Sequence, residues 1–400
     1  MSNALEGKQI VLGVCGGIAA YKSVELLRLL VKQGASVKVM TTANAKHFVG
    51  TATFEALSGQ KVCSDLFGSH EDASIQHIRW AESADAVVVA PATANMIGKL
   101  AHGIADDALS TFLLAASCPV MICPSMNTQM CASHPVQRNI SLLRNFGYKV
   151  IDPDAGELAC GTTGPGRLPD PAVLVELLTS LLTPKDYRSQ NVVVTAGPTR
   201  EAIDPVRFLS NPSSGKMGYA IARAAEMRGA NVILISGPTS LKPPPNVRVI
   251  RVSTAAQMTA AVLDFVSHAD ILVKCAAVAD YRPIIVADRK IKKRDSRLTI
   301  ELERTEDILK TVALQKKNHI VVGFAAETEQ LDAFATEKLK DKDLDLIVGN
   351  LIGGTDSGFE SDTNRVTLYY KDGSNEAFDL MSKDALADIL LDRIKRLRNN

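Results

Sequence analysis

A two-domain α/β protein, each domain built on a mostly parallel sheet covered by helices, is what this sequence predicts. Short apolar strands alternate with amphipathic helices throughout. The order strand, glycine turn, helix, strand opens the chain and returns near its middle. The length, 400 residues, exceeds what one hydrophobic core usually serves.

The first opening is "KQIVLGVCGGIAAYKSVELLRLLVKQGASVKVM", residues 8–40. Its helix shows an apolar stripe through Val24, Leu27, Leu30 and Val31, and Gly34 ends it. The second opening joins "NVVVTAGPTR" to "SSGKMGYAIARAAEMRGANVILIS", with Gly229 as its stop. Between them "LLTPKDYRSQ" breaks the apolar pattern with proline and charge, which sets the domains at 1–190 and 191–400. Two α/β domains obeying the same rules explain the likeness of the halves better than duplication.

In the first half, "ADAVVVAPATANMIGKLAHGIADD" and "CPVMICPSMNTQM" each run a buried strand into a loop. Ligands of open α/β sheets lie beyond the carboxyl ends of the strands. That brings "CGGIAAYK", "APATAN" and "PSMN" to one edge. Any one of them is an ordinary strand–helix turn; together they mark a site. Gly16 and Gly17 leave peptide N–H groups at a helix start, which suits a phosphate. The loop lacks the G-x-G-x-x-G dinucleotide pattern, so a mononucleotide fits it better than NAD.

In the second half, "LSNPSSGKMG" departs from the Walker A pattern at Ser210 and Met217, leaving a small-residue loop competent for phosphate. Lys290, Lys292, Lys293 and Arg294 form the densest basic cluster. Two readings stay open for it: a solvated surface loop, or neutralisation of a triphosphate with Mg2+ sharing the charge.

Lys plus Arg is 45 against 44 for Asp plus Glu, so charge gives no argument for nucleic acid or an anionic membrane. No stretch reads as a signal peptide or a membrane span. The cysteines include no CxxC pair, against a disulfide framework or zinc site, and the expected compartment is cytoplasmic with reduced thiols. One of them, Cys160, sits in "ELACGTTGPGRLPD" beside Gly161, Gly164 and Gly166, a setting unsuited to core filling.

These motifs resemble the bifunctional family of coenzyme A biosynthesis that fuses phosphopantothenoylcysteine decarboxylase to phosphopantothenate–cysteine ligase. "GGIAAYK", "APATAN", "PSMN" and "ACGTTGPGR" resemble the decarboxylase half. "TAGPTREAIDPVRFLSNPSSGKMG", "CAAVADYR", "KIKK" and "VVGFAAET" resemble the ligase half, in the same order. The resemblance covers nearly the whole chain. It implies a flavodoxin-like FMN domain followed by a Rossmann-like, three-layer CTP-using domain. It also implies a homo-oligomer, with decarboxylase trimers and ligase dimers, acting on phosphopantothenate, cysteine and CTP.

For the decarboxylase the resemblance implies FMN contacts at Gly16, Gly17, Ile18, Thr41, Thr93, Asn95 and Met126. Cys160 matches the proton donor, carried on a flap; a thiol with pKa about 8.5 is mostly protonated near neutrality. Arg167, nearby in sequence, would lower that value. His77 matches the active-site histidine, a base near neutral pH. Asn127 matches the asparagine that holds the substrate carboxylate. Cys15 stands where many relatives carry serine, which weakens any side-chain contact to FMN.

For the ligase it implies that Lys290 serves the CTP-activation step and Asn211 handles the acyl-cytidylate. Ala276, Asp280, Glu306, Asp307, Ile308, Leu309, Phe324, Lys338 and Lys342 fall at nucleotide-contact positions. The chain departs from the family pattern before Asp307, where relatives often show proline, and at Leu351, where they show aspartate. The expected cofactors are FMN and Mg2+, with no ligand set legible for the metal. Two other readings are an FMN-dependent decarboxylase with a non-catalytic C-terminal half and an FMN-binding regulatory protein. The latter carry acidic tails, whereas this chain ends in the basic "DRIKRLRNN".

Overall fold

The computed structural model describes residues 5–65, 73–159, 161–292, 298–327, 331–351 and 361–399. The chain divides into two compact units, one ending at Thr183 and one beginning at Pro184.

The first unit opens with β1 (Gln9–Val14), α1 (Ala20–Lys32) and β2 (Ser36–Thr41). There follow α2 (Thr51–Ser58), α3 (Ala73–Ser83), β3 (Ala86–Ala92), α4 (Ala94–Ala101) and α5 (Ala108–Ala115). Then come β4 (Val120–Pro124), α6 (Thr128–Ala132), α7 (His134–Asn145) and β5 (Lys149–Val150). A hairpin of β6 (Asp154–Glu157) and β7 (Thr163–Arg167) precedes α8 (Pro171–Leu182). The five long-range strands lie in the order β2-β1-β3-β4-β5, every pair parallel. This is the flavodoxin-like order, whose chain direction reverses between β1 and β3.

Burial on both faces explains the apolar strands: every residue of β3 is buried. Leu26, Leu27 and Leu30 of α1 pack with Phe54 of α2 and Leu174 of α8 on one face. Trp80 of α3, Ile97 of α4, Phe112 of α5 and Leu143 of α7 cover the other. The buried arc of α1 runs through Ala20, Ser23, Leu26, Leu27 and Leu30, while Val31 is 40% exposed. The expected stripe is therefore rotated by part of a turn, because buried Ser23 carries a place that apolar periodicity alone does not show. Its hydroxyl donates to the Ala90 carbonyl at 2.6 Å, tying α1 to β3. Gly34 follows the helix with φ +81, the left-handed conformation that closes it.

The second unit runs β8 (Asn191–Ala196), β9 (Arg200–Ala202), β10 (Phe208–Ser210), α9 (Lys216–Met227), β11 (Asn231–Ser236) and β12 (Arg248–Arg251). Next are α10 (Ala255–Val266), β13 (Ile271–Lys274), β14 (Tyr281–Pro283), β15 (Leu302–Arg304) and α11 (Ile308–Ala313). It ends with β16 (Ile320–Glu327), α12 (Leu331–Asp341), β17 (Leu346–Leu351), β18 (Thr363–Tyr370), β19 (Asn375–Ser382) and α13 (Lys383–Asn399). The main sheet has the order β12-β11-β8-β13-β16-β17-β18-β19. Its first six strands are parallel and β18 and β19 are antiparallel additions. The parallel part follows the Rossmann order, with its reversal between β8 and β13. α9 and α13 cover one face, and α10, α11 and α12 the other. Three layers result, as the resemblance implies.

Tyr187 is fully buried in the core of the second unit, with its hydroxyl donating to the Leu391 carbonyl. The stretch just before residue 190 therefore packs into the second unit's core. The Arg228 guanidinium stacks on the Tyr187 ring at 4.9 Å and grips Asp186 through two bonds of 2.9 and 2.6 Å, with Lys395 adding a third at 2.8 Å. Arg228 first, then Lys395, hold the Asp186 carboxyl down at about 2. A depressed carboxylate stabilises the fold above its ordinary value of 3.8 and loses that contribution as pH falls toward 2. Asp186→Asn is thus expected to cost on the order of 2 kcal/mol at pH 7. Denaturant unfolding should show the gap to wild type closing below about pH 4.

Candidate active sites

In the first unit the loops after β1, β2 and β3 are bound to one another. The Cys15 N–H donates to the Pro91 carbonyl at 3.2 Å, Thr42 N–H to Val14 at 3.0 Å, and Gly16 N–H to Thr42 Oγ1 at 3.2 Å. A Cβ on Gly16 would stand 2.5 Å from Asn44 Cβ, so only glycine permits this approach. The N–H groups of Gly17 and Ile18, next to the start of α1, meet no acceptor among the described residues. Thr41 is buried at the end of β2 and its hydroxyl has no hydrogen-bond partner among the described residues. Thr93 caps α4 by accepting from Met96 N–H at 3.4 Å, and Asn95 is exposed on its first turn. Gly16, Gly17, Ile18, Thr41, Thr93 and Asn95 thus all lie at the carboxyl ends of β1, β2 and β3, the first and third of which flank the reversal point.

Cys15 belongs to the apolar cluster with Met40 and Met96, and its thiol is hydrogen-bonded to Thr93. Burial pushes that thiol up to about 12, so it stays protonated and organises the loop after β3.

The hairpin is fastened to the loop after β4. The Met126 N–H donates to the Gly166 carbonyl at 3.0 Å, as does the Ser125 hydroxyl at 3.2 Å. A Cβ on Gly166, whose φ is +147, would stand 2.2 Å from the Met126 carbonyl oxygen. One on Gly164 would stand 2.7 Å from Thr128 Cγ2. The two glycines therefore let β7 lie directly on the "PSMN" segment. Asn127 caps α6 there, its Oδ1 accepting from Gln129 N–H at 2.8 Å, which fixes Oδ1 as the acceptor end of the amide. Leu158 N–H bonds the Thr162 carbonyl at 2.8 Å and so closes the hairpin's tip. Cys160 lies outside the described residues. His77 falls on α3, with its side chain outside them. Arg167 pairs with Asp154 at the base of the hairpin, while Glu157 and Thr163 form its last pair before the tip. Its guanidinium lies over Gly156, so proximity in sequence does not translate into a place at the tip.

In the second unit a cavity of about 500 Å³ opens at the reversal between β8 and β13. Its rim is the loop Asn211–Gly218 entering α9, where Gly215 has φ +77. The floor comes from Lys274 at the end of β13, from Cys275–Val278 after it and from Gly323–Ala326 on β16. Thr195 Oγ1 accepts from the N–H groups of both Cys275 and Ala276 at 3.1 Å, turning the chain out of the strand. Asn211 donates to the Val278 carbonyl at 3.0 Å, leaving the second hydrogen of its amide nitrogen for another acceptor. The amide oxygens of Asn350 and Asn364, both lining the cavity, are buried without a partner among the described residues.

Of the residues expected at this site, Asn211, Ala276, Asp280, Leu309, Phe324, Lys338 and Lys342 line the cavity. Asp307 acts behind them: it caps α11 and holds Lys342 at 2.8 Å. Glu306 bonds Thr311 at 2.7 Å, and Ile308 is core. Lys290 is exposed and absent from the lining. Its segment is fastened to the β9–β10 arm instead, where Asp204 accepts from Ile291 N–H at 3.1 Å and Arg207 donates to the Ile291 carbonyl at 3.0 Å. Lys293 and Arg294 lie outside the described residues. The cavity also exposes Lys216, Lys274 and Lys383, to which the sequence motifs assign no role.

A family model described as Flavoprotein matches residues 1–183, and one described as DNA/pantothenate metabolism flavoprotein C-terminal domain matches residues 187–397. The chain is 49% identical over 397 residues to the coenzyme A biosynthesis bifunctional protein CoaBC of Bacillus subtilis (strain 168), the match covering 98% of each. It belongs to the family of bifunctional coenzyme A biosynthesis proteins. The Escherichia coli (strain K12) member is 45% identical over 396 residues, covering 98% of this chain and 97% of that one. A crystal structure of a CoaBC C-terminal domain is 43% identical and covers 53% of this chain and 98% of its own, with a TM-score of 0.46. As a bifunctional coenzyme A biosynthesis protein the chain is an enzyme with a decarboxylase half and a ligase half, and its first half is a flavoprotein module.

Proposed function

We propose that the chain joins cysteine to phosphopantothenate at the expense of CTP, in the unit from Pro184 onward, and decarboxylates the product in the unit ending at Thr183. The observation that carries this reading is that each unit has a phosphate-competent glycine loop at its own reversal point.

The first site fits FMN. Gly17 and Ile18 offer peptide N–H groups to a phosphate, Thr41 offers a buried hydroxyl without a partner, and Thr93, Asn95 and Met126 border the same edge. Bound FMN supplies a two-electron sink that lets the substrate's cysteine carbon be oxidised before carbon dioxide leaves and reduced afterwards. Asn127 holds the departing carboxylate, and His77 takes a proton as the oxidation proceeds. Cys160 delivers the last proton to carbon. Cys160→Ser is expected to release CO2 with phosphopantetheine formation down by about 10²-fold or more. Normal phosphopantetheine output from that variant would remove Cys160 from the role. His77→Asn should leave the flavin oxidised when phosphopantothenoylcysteine is added, and rapid bleaching of its visible band would count against the base.

In the second unit, carboxylate activation by CTP gives an acyl-cytidylate and pyrophosphate, and the cysteine amine then displaces CMP. Lys290 takes phosphate charge, which Mg2+ bound with the nucleotide would share, Asn211 donates to the acyl-cytidylate, and Lys338 and Lys342 line the nucleotide site with Ala276, Asp280, Leu309 and Phe324. Asp307 orients Lys342. The buried amide oxygens of Asn350 and Asn364 are acceptors suited to a nucleobase amino group. The enzyme works in the cytoplasm as a homo-oligomer, with trimeric decarboxylase and dimeric ligase contacts. Supplying phosphopantothenate, cysteine, CTP and Mg2+ should yield phosphopantetheine, CO2 and CMP. A colourless protein that cannot rebind FMN would overturn the first half of the reading.

A further inference from the structure

Five lysines line the cavity of the second unit, and their partners differ. Lys216 pairs with Asp362 at 2.7 Å, Lys338 with Glu327 at 2.6 Å and Lys342 with Asp307 at 2.8 Å. Lys274 and Lys383 have no carboxylate partner among the described residues. Lys274 folds back to donate to the Ala276 carbonyl at 3.1 Å, and Lys383, only 6% exposed, donates to the Ser361 carbonyl. An ammonium taken from water without an opposite charge is costly for a fold.

Each of the two has another cavity lysine among the charges that act on it. Lys342 acts on Lys274, with Asp307, Asp280 and Cys275 also within its field. Lys216 acts on Lys383, again with Cys275, and with Asp362. Cys275 is within the field of both lysines, its thiol pushed up to about 12 by burial and so without charge to offset them. Burial first, and the neighbouring lysine second, lower the proton affinity of both ammonium groups. Lys216 is the first residue of α9, a twelve-residue helix whose N-terminal dipole adds to the positive field.

A single carboxylate would meet one of these cations. A polyphosphate would meet several, and its charge would pair with the two that have no carboxylate partner among the described residues. We infer that Lys274 and Lys383 are substrate-contacting residues of the ligase, their ammonium groups, without an ion-paired carboxylate among the described residues, held for the polyphosphate chain of the nucleotide. This rests on the proposed ligase activity and adds a consequence of its own. Removing either charge should make the ligand-free protein more stable while making the nucleotide bind less well.

The test uses the full chain with inorganic pyrophosphate and CTP as probes, by titration calorimetry and thermal unfolding. Lys274→Met and Lys383→Met are each expected to weaken pyrophosphate binding about tenfold or more. The ligand-free Tm should hold or rise by about 2 °C. Pyrophosphate affinity within about twofold of wild type would overturn the inference. So would lost affinity with a lowered Tm, which assigns the lysine to the scaffold, or lost affinity for phosphopantothenate alone, which assigns it to the other substrate's phosphate. Should a methionine variant fail to fold, Lys274→Gln and Lys383→Gln carry the same comparison. A wild-type chain that binds neither pyrophosphate nor CTP would sink the ligase reading itself, whereas unchanged binding in the variants would sink only the role of the two lysines.

Discussion

Gly166→Ala is expected to cut decarboxylation by about a hundredfold and to leave CTP-driven ligation at its wild-type rate. The added Cβ would meet the Met126 carbonyl oxygen at 2.2 Å, a distance no pair of such atoms tolerates, and the backbone there has φ +147. Neither partner can give easily. Met126 is held by its own N–H bond to the Gly166 carbonyl, and Gly164 is pressed against Thr128 two residues before. The hairpin must therefore lift by roughly 1 Å, and a misplacement of that size costs about 10²-fold when it moves a reacting group. Cys160 belongs to this hairpin, between Ala159 and Gly161. Separate assays of the two half-reactions decide the matter. Unaltered decarboxylation would mean that the hairpin's seat on the "PSMN" loop does not position the proton donor.

That seat illustrates what a sequence conceals. "PSMN" and "GPGR" both stand out as loop chemistry, yet nothing in either says that one lies on the other. The contact depends on two glycines whose missing Cβ atoms leave room for a backbone far away in the chain, and glycine reads as a turn in sequence whatever it is used for. The βαβ openings were legible because their signal is local, apolar runs with a closing Gly34 or Gly229, although the second carries β9 and β10 between its strand and its helix, which the sequence reading did not show. That the loops after β1, β3 and β4 share one edge was legible for the same reason, since any parallel sheet brings its strand-end loops together, whereas Thr41 at the end of β2 entered through the resemblance alone.

The lysines of the second site were not. Lys274 closes the apolar run "ILVK" and reads as the end of a strand, while Lys383 reads as the solvated first residue of a helix. Only the strand order, with β13 beside β8 and α13 returning across the same face as α9, brings the two to one cavity. The Tyr187 boundary eluded the sequence in a related way. "TPKDYRSQ" looks like a linker, and the partners that make it part of a core, Arg228 and Leu391, come from elements much later in the chain.

Lys290→Gln is expected to abolish pyrophosphate release from CTP, with decarboxylation unchanged. Losing a charge that acts on the phosphates during their transfer removes about 10²-fold or more from the step. The lysine is exposed and outside the cavity lining, so its effect depends on how its segment is carried. Asp204 is the carrier. Nearly wholly buried, it accepts from Val206 and Arg207 N–H at 2.8 Å through one oxygen and from Ile291 N–H at 3.1 Å through the other. Arg207 secures the same point from its side by donating to the Ile291 carbonyl. Asp204→Ala would free three backbone donors and the segment together, leaving the Lys290 side chain intact but unplaced. Ligation should then fall by about tenfold, mostly through kcat, because the ammonium is present but seldom positioned. If Asp204→Ala ligates normally while Lys290→Gln does not, the lysine acts without its anchor. If Lys290→Gln ligates normally, the basic cluster is surface charge and the phosphate work falls to the lysines of the cavity.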